Sequence, residues 1–72
     1  RYEEALQDLD EALRLNPKYA LAFNNRGVAK HKLGRYEEAL QDLDEALRLN
    51  PKEANAFNNR GYAKLNLGRY KE

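Results

Sequence analysis

One phrase recurs along this chain at a fixed spacing of 34 residues. Arg1-Tyr2-Glu3-Glu4-Ala5-Leu6 returns as Arg35-Tyr36-Glu37-Glu38-Ala39-Leu40, and Gly34-Arg35-Tyr36 returns as Gly68-Arg69-Tyr70. Residues 1–34 and 35–68 differ at only five places: Tyr19/Glu53, Leu21/Asn55, Val28/Tyr62, His31/Leu65 and Lys32/Asn66. A period of this size belongs to stacked arrays, in which one supersecondary unit is copied along an axis. Each unit must therefore be able to pack against a copy of itself.

The unit reads as two helices. From Tyr2 to Leu15 the apolar residues Tyr2, Ala5, Leu6, Leu9, Ala12, Leu13 and Leu15 keep the three/four spacing of a helical stripe. Glu3 and Glu4 favour the first turn and Arg14 the last, through the helix dipole. Asn16-Pro17 stops this helix, and the same pair is expected to open the next, with Asn as cap and Pro in the first turn. A second helix is predicted over 18–33, with Ala22, Phe23, Gly27, Ala29 and Leu33 inward. Gly27 inside a helix costs roughly 1 kcal/mol against alanine, so it asks for a close neighbour. Gly34 is expected as a left-handed cap, and the short link after it folds the helices back antiparallel. Helices over 35–49 and 52–67 repeat the pair, and residues 69–72 would begin another. No alternating strand pattern occurs, so the class is all-α.

Charge alternates with the helices. Residues 1–17 and 35–51 are net acidic, residues 18–34 and 52–68 net basic, and the total is +1. Neighbouring helices should attract, while no strong field invites nucleic acid or an anionic membrane. The 72 residues allow one small domain, without a membrane-length apolar run or a signal-peptide pattern. A cytoplasmic-type location is expected. Ser, Thr, Ile, Cys, Met and Trp are absent. So narrow an alphabet in two near-identical copies points to a consensus design or a recent amplification. The missing methionine points to a fragment or a processed chain.

Catalytic chemistry is not visible. Without Ser, Thr or Cys there is no nucleophilic triad of the usual kind. His31 is the single histidine and has no second His or Cys with which to hold a metal. Glu3-Glu4 and Glu37-Glu38 are sequence neighbours that do not face each other on a helix. Tyr2, Tyr36 and Tyr70 could stack RNA bases, but core packing at the inter-helix turn is the better reading. No enzyme, cofactor or metal is expected.

The residues resemble the tetratricopeptide repeat. Its helix–turn–helix signature is carried by Phe23, Gly27, Ala29, Tyr36, Ala39, Ala46 and Pro51, with Tyr2, Ala5, Ala12 and Pro17 before them and Phe57, Gly61, Ala63 and Tyr70 after. Phe23 and Phe57 replace the family's usual Trp. Arg26 and Arg60 stand where Leu is usual, and Lys30 and Lys64 where an aromatic is usual, which implies a packing layer of apolar stems with polar heads. The resemblance implies a right-handed α-solenoid of antiparallel helix pairs. Residues 1–17 would be the second helix of one repeat, 18–51 one full repeat, and 52–72 the start of the next. In the family's usual frame the complete repeat is 20–53.

Four of the five differences fall on one stripe of the family's first helix, about 100° wide at 100° per residue. In the family this stripe lines a concave groove that receives a peptide or a partner helix. The resemblance implies a peptide-binding groove at Leu21, Asn24, Asn25, Val28, His31 and Lys32, continued by Asn55, Asn58, Asn59, Tyr62, Leu65 and Asn66. Asn25 and Asn59 match an Asn of the carboxylate clamp found in chaperone-binding members, but the clamp's lysine positions hold Asn or Leu, so that ligand does not carry over. A non-catalytic protein–protein interaction scaffold is expected. The alternatives are a designed repeat without a natural ligand that stacks head to tail, and, at a distance, an RNA-binding repeat. Head-to-tail self-association would use the exposed end helices, with residues 1–4 of one chain competing for the place of residues 69–72 of another.

Overall fold

A computed structural model describes residues 1–68. It contains four helices: α1 (Tyr2–Leu15), α2 (Ala20–Lys32), α3 (Tyr36–Leu49) and α4 (Ala54–Asn66). The all-α class expected from the apolar periodicity holds, and no strand occurs among the described residues. The expected beginning of a fifth helix at residues 69–72 lies outside the described residues.

Helices α2 and α4 start later than expected. Asn16 does not cap α2. Its Oδ1 accepts a hydrogen bond from the Lys18 N–H at 3.3 Å, and its carbonyl accepts from the Tyr19 N–H at 3.2 Å. This local turn competes with the helix and holds Pro17-Lys18 outside it. Asn50 does the same to Lys52, so α4 begins at Ala54. Neither helix has a side-chain cap or an acid in its first turn, so packing has to hold them.

The other end behaves as expected. Gly34 has φ 81° and Gly68 has φ 74°. Around Gly34 the Arg35 N–H donates to the Lys30 carbonyl at 2.8 Å and the Gly34 N–H to the His31 carbonyl at 3.0 Å. These two bonds close the end of α2 and reverse the chain in a step that an L side chain would strain.

The side-chain pairs give the directions. Between α2 and α3, Lys30 meets Glu38 and Arg26 meets Asp42, so one number falls as the other rises and the helices are antiparallel. Between α2 and α4, Asn24 meets Asn59 and His31 meets Asn66, a constant offset of 35, so these two are parallel. Helix α2 is the hub, touching α1, α3 and α4, while among the described helices α1 packs on α2 alone. The packed centre is Leu43, Ala46, Leu47 and Ala56, with Phe23 laid against it. Gly27 earns its place here. A Cβ at this position would lie 2.8 Å from Leu43 Cγ and 3.3 Å from the Ala39 carbonyl oxygen. Among the described residues no helix is long and apolar enough to cross a membrane.

Candidate functional site

The residues of the expected groove do not share one environment. Leu21, Asn25 and Lys32 are exposed on α2, and Asn55, Asn58, Tyr62, Leu65 and Asn66 are exposed on α4. Val28, His31 and Asn59 are half-buried. Asn24 is buried, at 4% exposure, and accepts at Oδ1 from Asn59 Nδ2 at 3.1 Å. Its own Nδ2 donates to Asn25 Oδ1 at 3.4 Å. Asn24 therefore joins the two helices, because a buried amide needs a partner and Asn59 supplies it.

The second joint is His31. Asn66 Nδ2 lies 2.6 Å from His31 Nε2 and, with the amide so placed, donates to it, which leaves the histidine proton on Nδ1. The ring also meets Tyr36 edge-on with centroids 5.3 Å apart. Burial, and then the charge of Lys32, hold the His31 pKa below its ordinary value. The neutral ring is the form that can accept from Asn66. Two amide-based joints thus align α2 and α4, and leave Leu21, Tyr62 and Leu65 as exposed apolar side chains beside Asn55 and Asn58.

Beneath this face lies a charged seam. Arg26 Nε and Nη2 donate to Asp42 Oδ2 and Oδ1, and Arg26 Nη1 donates to Asp10. Lys30 Nζ approaches Asp42 Oδ2 at 3.0 Å and Glu38 at 3.7 Å. The Arg26 guanidinium also lies over the Phe23 ring, 5.4 Å from its centroid. These are the apolar stems with polar heads that the sequence led us to expect.

A groove of about 430 Å³ opens between α1 and α2. Tyr2, Ala5, Asp8 and Leu9 form one wall, and Asn25, Val28 and Ala29 the other. Of these, only Asn25 and Val28 are among the site residues expected from the sequence. On the α1 wall Tyr2, Ala5 and Leu9 read as ordinary core positions; the useful signal was the copying itself, since Leu9 corresponds to Leu43 yet is less buried. Among the described residues no group of three or more His, Asp or Glu could hold a metal ion.

The comparisons agree with this architecture. Family models described as "Tetratricopeptide repeat" match residues 20–53 and 43–72, and one described as "TPR repeat" matches residues 1–34, so that together they span the chain. A search of curated proteins finds no significant match.

Proposed function

This chain belongs to the tetratricopeptide repeat family, whose repeats are generally protein–protein interaction modules and typically non-catalytic, and from that premise we propose that it binds a peptide or a partner helix along the α2–α4 face. The observation that carries the reading is the pair Leu21 and Tyr62. They stand 43% and 55% exposed on adjacent parallel helices, at positions where the two copies differ. Exposed apolar groups can take a ligand's side chains, while Asn55 and Asn58 offer donors and acceptors to its backbone. A phage-displayed random peptide library, selected on the immobilised chain, tests this. Selected peptides should lose binding with Tyr62→Glu or Leu21→Glu and keep it with Gln7→Glu on α1. Binding indifferent to both groove substitutions would count against the face.

A second reading has its own observation. Leu9 and Phe57, toward the two ends, are more exposed than Leu43 and Phe23, their counterparts in the middle. Copies of this chain, designed to a consensus or amplified in nature, would then stack head to tail as a single continuous array and need no other ligand. Sedimentation from micromolar to millimolar concentration tests it, because a chain that stays monomeric throughout does not stack.

A further inference from the structure

The groove between α1 and α2 has a filled counterpart inside the same molecule. Thirty-four residues on, its walls become Tyr36, Ala39, Asp42 and Leu43 of α3 and Asn59, Tyr62 and Ala63 of α4. Five of these seven touch α2: Tyr36 meets His31, Leu43 and the Ala39 carbonyl press on Gly27, Asp42 holds Arg26 and Lys30, and Asn59 bonds Asn24. The groove is therefore the seat of a helix of the α2 type. The chain also carries a second helix of that type, α4, whose matching face no described residue covers. Among the described residues nothing lies within 4 Å of a Cβ placed on Gly61, and Phe57 is 51% exposed. Arg60 donates through Nη1 to Asp44, as Arg26 does to Asp10. The Nε and Nη2 edge, which in Arg26 grips Asp42, has no such carboxylate among the described residues.

We infer that the occupant of the α1–α2 groove is α4 of a second copy of this chain, in one register: Gly61 against Leu9, Arg60 and Lys64 converging on Asp8, and Asn58 meeting Asn25. The inference presumes the head-to-tail reading and adds to it the register and the recognition chemistry. Charge complementarity sets the polarity, since Asp8 lies on the acidic α1 and Arg60 and Lys64 on the basic α4. Glycine sets the register, because only Gly61 lets Leu9 approach as Leu43 approaches Gly27. The contact is heterologous and does not close on itself, so copies add in a line.

The test is sedimentation equilibrium on the full chain and three variants, from micromolar to millimolar concentration, with circular dichroism confirming the fold. Gly61→Ala is the decisive variant, because open space around Gly61 lets the single chain fold as well as before or better. Its association should weaken by at least about tenfold, as an extra methyl in a packed contact requires. Asp8→Arg and Arg60→Asp should each be monomeric alone, since each sets like charges face to face, and should associate again when mixed. A native chain that remains monomeric at millimolar concentration overturns both the register and the head-to-tail reading. A native chain that associates, with Gly61→Ala equally strong or no rescue on mixing, overturns the register and leaves stacking intact.

Discussion

Arg26 grips Asp42 with two parallel bonds, Nε to Oδ2 at 2.9 Å and Nη2 to Oδ1 at 2.8 Å, across the seam between α2 and α3. The carboxylate, itself 4% exposed, holds the guanidinium pKa above the ordinary arginine value against the opposing effect of burial. Asp42 also receives Lys30, so one buried anion serves two cations. Asp42→Ala should cost about 3–5 kcal/mol, because it removes the one buried carboxylate that Arg26 and Lys30 share and leaves them only the exposed Asp10 and Glu38. Asp8→Ala, the same change one repeat earlier at an exposed site, should cost under about 0.5 kcal/mol. Urea unfolding of the two variants, each dilute enough to be monomeric, measures the difference.

The two helical glycines should respond in opposite directions. Alanine gains about 1 kcal/mol of helix propensity at either site. At Gly27 that gain is opposed by the crowding of Leu43 and the Ala39 carbonyl, whereas at Gly61 no described residue opposes it. Gly61→Ala should raise the melting temperature. Gly27→Ala should be less stable than Gly61→Ala by about 1–3 kcal/mol, the usual cost of overpacking. Thermal melts of both variants isolate the crowding, since the propensity gain is common to them.

Leucine truncation should follow the same asymmetry. Leu43 is fully buried, so Leu43→Ala should cost about 2–5 kcal/mol through lost contacts and a residual cavity. Leu9 borders the open groove, and its loss should cost roughly 1 kcal/mol, the worth of a partly buried side chain. Chemical denaturation on both variants checks the ratio.

Stability should also depend on pH through His31. Its folded pKa lies below the ordinary value of 6.5, so the unfolded chain binds the proton more readily. The contribution is complete above that value and is lost as the pH falls below it, through the folded pKa. Protonation also removes the acceptor that Asn66 uses. His31→Leu, which installs the residue found at position 65, should flatten the profile in this window while leaving the carboxylate titrations at lower pH. Midpoints of urea unfolding across the window report it.

Much of the fold could be read from the residues. The apolar stripe of Tyr2–Leu15, the left-handed Gly34 and the pressure on Gly27 are local or follow from copying. The late starts of α2 and α4 were hidden, because Asn16 and Asn50 can serve equally as caps or as turn acceptors. The attraction between basic α2 and acidic α3 followed from the alternating charge, and Arg26–Asp42 is where it is realised. The pattern did not single out Asp10 as the α1 partner of Arg26; it lies about 200° around the helix from the groove-lining Asp8. Asn24 read as part of a binding stripe, yet it is buried against Asn59 while its copy Asn58 is exposed. Identical residues differ here only in what lies above them, which local sequence does not encode.

The central packing of Leu43, Ala46, Leu47, Ala56 and Phe23 also sets the order in which the helices let go. Helix α3 is held on both sides, by α2 and α4, whereas among the described helices α1 has α2 alone. Backbone amides of α3 should therefore keep their protons longest in deuterated water, and those of α1 should exchange first. The hinge for that release is the Asn16-Pro17-Lys18 turn, which needs no helix beside it to keep its shape. Opening would then run from the N-terminal helix inward, and closing would recruit α1 last, onto an α2–α3 hairpin already formed.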